Sequence, residues 1–71
     1  MKKFNGSVDD LEALLVSMFS KVNIDKNKPK ISLQAKTESG TVINFFAATR
    51  TIQFQNIQPY DESILHLLYD N

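Results

Sequence analysis

Between Lys30 and Asn56 the sequence pattern takes a period of two, broken by turns, and this constrains the chain more than any other feature. Ile31, Leu33, Ala35 and Thr37 alternate with Ser32, Gln34, Lys36 and Glu38, the pattern of a strand with one face buried. Glu38-Ser39-Gly40 follows as a tight turn, with a glycine placed where a positive φ is needed. A second strand is predicted over 41–48. Thr41, Ile43, Phe45 and Ala47 lie on one side of it, and Val42, Asn44, Phe46 and Ala48 on the other. After a glycine-free turn at Ala48-Thr49-Arg50-Thr51, a third strand over 51–56 alternates Ile52 and Phe54 with Thr51, Gln53 and Gln55. Short strands joined by short turns predict an antiparallel meander.

Upstream the period is helical. Val8, Leu11, Leu15, Met18 and Val22 recur at spacings of three or four, and Leu14 and Phe19 widen the stripe. Ser7 is the natural N-cap, with Asp10 at the third helical position, so a helix is predicted over 7–22. Residues 23–29 are expected to form a loop, closed by Pro29. Pro59 opens a final helix over about 60–69, in which Ile64, Leu67 and Leu68 face the sheet. The expected fold is α+β, ordered α-β-β-β-α, a three-stranded antiparallel meander with two helices on one face. The 71 residues make one small domain, 1–71.

Composition excludes several functions. The absence of cysteine removes disulfides, thiol nucleophiles and Cys-based zinc sites together. Apolar runs fall far short of the roughly 20 residues that cross a bilayer. Lys2 and Lys3 lead into Phe4-Asn5-Gly6-Ser7 and then acids, unlike a signal peptide. A cytoplasmic protein without a membrane partner is expected. Ser17, Ser20 and Ser63 have no base in motif spacing. Asp9, Asp10 and Glu12 lack the spacing of a calcium loop. Gly6 and Gly40 are isolated and make no phosphate loop. The expectation is therefore a protein that is not an enzyme and needs no cofactor.

What remains is binding. With Ile31, Leu33, Ile43, Phe45, Ile52 and Phe54 turned to the helices, the opposite face carries Ser32, Gln34, Lys36, Asn44, Phe46, Thr51, Gln53 and Gln55. Amides that hydrogen-bond, with one aromatic that stacks, suit nucleic acid. The net charge is zero, yet Lys21, Lys26, Lys28, Lys30, Lys36 and Arg50 of residues 21–50 face only Asp25 and Glu38, an excess of four positive charges. Such a region attracts phosphates. The candidate nucleic-acid site is Lys28, Lys30, Lys36 and Arg50 for phosphates, Phe46 for stacking, and Asn44, Gln53 and Gln55 for sugars or base edges.

The stretch from Thr41 to Asn56, ending Ile52-Gln53-Phe54-Gln55-Asn56, resembles the hairpin in the N-terminal TATA-binding-protein-like domain of bacterial ribonuclease HIII. Ala48-Thr49-Arg50 stands where that family has a Ser/Thr-Gly turn, and Asn56 where it has glycine. The resemblance implies an open sheet face used for RNA/DNA hybrids. No nuclease domain follows, so binding without cleavage is expected.

A second reading is a protein-interaction factor, an inhibitor or adaptor, that acts through a strand edge or the terminal helix. Val16, Leu65 and Tyr69 fall off the main apolar stripes and form the candidate protein interface. Small size and unpaired sheet edges also predict a homodimer.

Overall fold

The computed structural model describes residues 2–68. Its elements are β1 (Lys2–Lys3), α1 (Val8–Met18), β2 (Val22–Asp25), β3 (Leu33–Thr37), β4 (Val42–Phe46), β5 (Thr51–Gln55) and α2 (Pro59–Leu65), followed by a 3-10 turn at His66–Leu68. The α+β class holds. The sheet, however, has five strands and not three, in the order β1-β5-β4-β3-β2, antiparallel throughout.

The two additional strands are its edges. Residues 22–25 alternate Val, Asn, Ile, Asp, and pair with β3 so that Val22 lies opposite Thr37 and Ile24 opposite Ala35. The expected loop over 23–29 thus begins as a strand, at residues 23–25. The expected helix over 7–22 stops at Met18, because Phe19 is already extended. Val22 sits four residues past Met18 and mimics another helical turn, yet it reaches the core from a strand. At the other edge, Lys2 and Lys3 pair with Ile52 and Thr51 of β5.

Local chemistry sets the joints. The Ser7 side chain accepts from the Asp10 N–H at 3.1 Å, and the Asp10 carboxylate accepts from the Ser7 N–H at 3.0 Å. This reciprocal cap starts α1. The β3–β4 turn is a three-residue loop, with Gly40 at φ 101° and its N–H donating to Thr37 O at 3.0 Å. That is the expected use of a glycine in such a hairpin.

One core joins the helices to the inner sheet face. Leu11, Leu15, Phe19, Leu65 and Leu68 cluster with Leu33, Ala35, Ile43, Phe45 and Ile52. Phe4 completes it, its ring meeting Phe45 edge-on at 5.8 Å. Gly6 is fixed by the same ring, since a Cβ there would lie 2.6 Å from it. Phe54 and Ile31, expected on the inner face, are only half-buried. Phe54 lies past the two residues of β5 that β1 covers, and Ile31 precedes β3.

Of the three residues of the final helix expected to face the sheet, Leu68 is buried and Ile64 packs against the core, but Leu67 does neither. Asp61, Leu65 and Leu68 are buried, while Leu67 is 59% exposed. Asp61 is only 1% exposed and accepts a 2.8 Å hydrogen bond from the Thr37 hydroxyl. The Thr37 oxygen in turn accepts from the Thr41 N–H, and the Thr41 hydroxyl accepts from the Gln58 N–H at 2.9 Å. This buried polar relay seats α2 on the β3–β4 hairpin. No helix among the described residues is long and apolar enough to cross a membrane.

Candidate functional site

The strand register lays out the open face in rows. Asp25, Gln34, Asn44 and Gln53 lie side by side across β2, β3, β4 and β5. Asn23, Lys36, Val42 and Gln55 form the next row. Beyond the amide row, Phe46 lies opposite Thr51, which lies opposite Lys3. Alternation therefore placed Lys36, Asn44, Phe46, Gln53 and Gln55 on one face, as the sequence predicts.

Within that face Asn44 behaves unlike its neighbours. It is 3% exposed, and its side-chain oxygen accepts from the Gln34 amide at 2.9 Å. Its side chain is thus engaged in holding Gln34, and little of it is exposed on the face. Gln53 and Gln55 are exposed. Gln53 makes no side-chain hydrogen bond among the described residues.

A groove of about 470 Å³ opens at the Phe46 end. Phe46 of the middle strand is flanked by Lys30 and Ser32 on the β3 side and by Thr51 and Gln53 on the β5 side. The turn Ala47-Ala48-Thr49 closes its end. None of the lining residues is acidic. Two hydrogen bonds brace the walls. The Ala47 N–H donates to Ser32 Oγ at 2.9 Å, and the Thr49 and Thr51 hydroxyls meet at 2.8 Å. Lys3 donates to the Thr49 carbonyl at 3.0 Å and ties the turn to β1.

The groove brings together three predicted residues, Lys30, Phe46 and Gln53. It adds Ser32, Thr51 and the turn, which the sequence reading left out of the site. The available signal was Ala47-Ala48, whose small side chains beside an outward Phe46 leave that ring half-buried and accessible.

Arg50 belongs to the same turn and adopts φ 59°. For a residue with a Cβ this left-handed conformation costs roughly 1–2 kcal/mol. Glycine or asparagine fits it better, as Asn56 does at φ 53°. A long cation held at a strained backbone position beside a groove marks a functional candidate.

The cations divide into two sets. Lys26 reaches the helix layer and bonds Glu12 at 2.7 Å, with Asp9 at 3.9 Å. The Glu12 hydrogen bond and charge raise its pKa above the ordinary lysine value. Lys21 pairs with Glu38 at 3.6 Å and Lys28 with Asp25 at 3.9 Å. Lys28 is thus partly occupied within the fold. Lys30, Lys36 and Arg50 have no ion-pair partner among the described residues. Lys36 stands apart from the groove, beside Val42 and Gln55.

The predicted protein interface does not assemble. Val16 is 57% exposed, but Leu65 is fully buried because it follows Asp61 by one helical turn. Tyr69 lies outside the described residues. Among the described residues no group of three His, Asp or Glu side chains comes together to hold a metal. Compared with known proteins, the chain matches no family model, no curated protein and no solved structure.

Proposed function

We propose that this protein is a small, non-enzymatic binding module for nucleic acid that uses the open face of its sheet. The observation that carries the reading is the groove at Phe46, an accessible aromatic flanked by the unpaired cation Lys30, with Arg50 in the bordering turn. Aromatic stacking supplies sequence-tolerant affinity, and the cations supply phosphate contacts. Lys36 and Gln55 extend the same face away from the groove. The acids of α1 lie on the other side of the sheet, and Asp9 and Glu12 are already engaged with Lys26. A formal charge of zero is therefore compatible with a cationic face. The hairpin resemblance to the ribonuclease HIII domain supports the same surface.

Fluorescence anisotropy with labelled single-stranded, duplex and hybrid oligonucleotides tests the reading. Binding should weaken steeply as salt rises, and Lys30→Gln should lower the salt slope by about one. Absence of binding at tens of micromolar protein in low salt overturns it and favours a protein partner.

A further inference from the structure

Phe46 is recessed. Chain segments stand on both sides of it, Lys30 to Ser32 on one and Thr51 to Gln53 on the other, and the Ala47–Thr49 turn closes the end. We infer that this groove takes one unpaired nucleobase from a single-stranded nucleic acid, an assignment that rests on the binding reading above.

Three observations carry it. The first is access. In a duplex both faces of the internal bases are stacked on neighbours, so a surface ring meets sugar, phosphate and base edges but no base face. Presenting a face to Phe46 then requires unstacking, which a duplex resists and a single strand permits. The second is size. A volume of about 470 Å³ lies within the roughly 300–1,000 Å³ of small-ligand sites. It suits one base with its sugar and not a helix. The third is the chemistry of the walls. Gln53 offers an amide donor and acceptor with no side-chain partner among the described residues, suited to a base edge. Ser32 Oγ already accepts from the Ala47 N–H, which leaves its O–H free to donate. Lys30 stands at the rim opposite Gln53 across Phe46, where a phosphate attached to the seated base would find it.

The geometry therefore selects single strands over the RNA/DNA hybrids that the hairpin resemblance implies. Stacking holds the base, Gln53 contacts its edge, and Lys30 neutralises the neighbouring phosphate.

The test compares one labelled single strand with the same sequence in a duplex and in a hybrid, and with a mononucleotide. The single strand should bind about tenfold or more tightly than either helix, and more tightly than the mononucleotide. Phe46→Leu keeps apolar bulk without an aromatic face, and should lose single-strand affinity by roughly 5- to 150-fold. The protein contains no tryptophan, so Phe46→Trp creates a single reporter whose emission the single strand, but not the duplex, should quench. Equal affinity for single strand and duplex, with Phe46→Leu unchanged, overturns the inference while the broader nucleic-acid reading survives. Mononucleotide binding as tight as the single strand overturns the strand as source. No binding of any oligonucleotide overturns both readings.

Discussion

Phe45 and Phe46 are neighbours of identical chemistry on β4, and the sheet sends them to opposite fates. Phe45 points inward, is fully buried, and meets Phe4 within the core. Phe46 points outward and stays half-buried in a groove. On the inner face Leu33, Ile43 and Ile52 are closed off by two helices. On the outer face no helix of the described residues covers the amide row, in which Asn44 is enclosed and Gln53 exposed. The difference teaches which residues to assign to stability and which to recognition. The strand period of two separates the tasks one residue at a time.

The strongest way to break that contrast is to truncate each ring in turn. Phe45→Ala should cost about 3–5 kcal/mol by urea unfolding, a large share of a small domain's margin. Phe46→Ala should cost no more than about 1 kcal/mol, because a half-exposed ring leaves no closed cavity. Equal losses would mean that the outer ring is structural and the groove incidental.

A second loss belongs to the inner side but is polar. Asp61→Ala should destabilise by about 1–3 kcal/mol, since the buried Thr37 hydroxyl loses its acceptor. Pairing it with Thr37→Val in a double-mutant cycle should show strong coupling. Additive losses would mean that the relay does not seat α2.

On the outer side the sign should reverse. Arg50→Gly relieves a left-handed backbone, so stability should hold or rise by up to about 1 kcal/mol while oligonucleotide affinity falls. A variant that binds unchanged removes Arg50 from the site.

The smallest effect separates the engaged cations from the unpaired ones. The folded-state pKa of Lys26 is raised, first by its hydrogen bond to Glu12 and then by that carboxylate's charge. Its stabilising contribution is therefore complete below the ordinary unfolded lysine value, and is lost as pH rises through the raised folded value. The position is exposed, so the effect is slight. Unfolding measured across this alkaline window should show a small decline that Lys26→Met abolishes. Lys30→Met should leave the decline in place.

The sequence exposed features that depend on near neighbours. The Ser7–Asp10 cap, the Gly40 turn and the alternation of 33–37, 42–46 and 51–55 are all local. The edge strands were hidden for opposite reasons. Lys2 and Lys3 carry no pattern, and their pairing depends on Thr51 and Ile52 far along the chain. Val22 to Asp25 do alternate, but Val22 also extends the helical spacing from Met18, and the lysines around the segment suggest a loop. On α2 the apolar pattern shows Ile64 and Leu68 but not the anchor Asp61, a polar residue outside any apolar stripe. Alternation also shows that Lys36, Asn44, Phe46, Gln53 and Gln55 share one face. The burial of Asn44 arises from cross-strand covering by residues such as Gln34, and the groove arises from two alanines in a turn, neither of which a spacing pattern reveals.

Every strand from β2 to β5 pairs with a neighbour in sequence, whereas β1 must find β5 from the far end of the chain. Contacts between near neighbours form quickly, and closure over a long stretch costs more chain entropy. The meander should therefore assemble first, with the N-terminal strand docking last and opening first under native conditions. The Phe4 amide, bonded to the Arg50 carbonyl at 2.9 Å, is the reporter of that step. Its hydrogen exchange should outpace that of the β4 amides. Each opening also releases Lys3 from the Thr49 carbonyl, so the turn beside Phe46 should share the timescale of the docking strand.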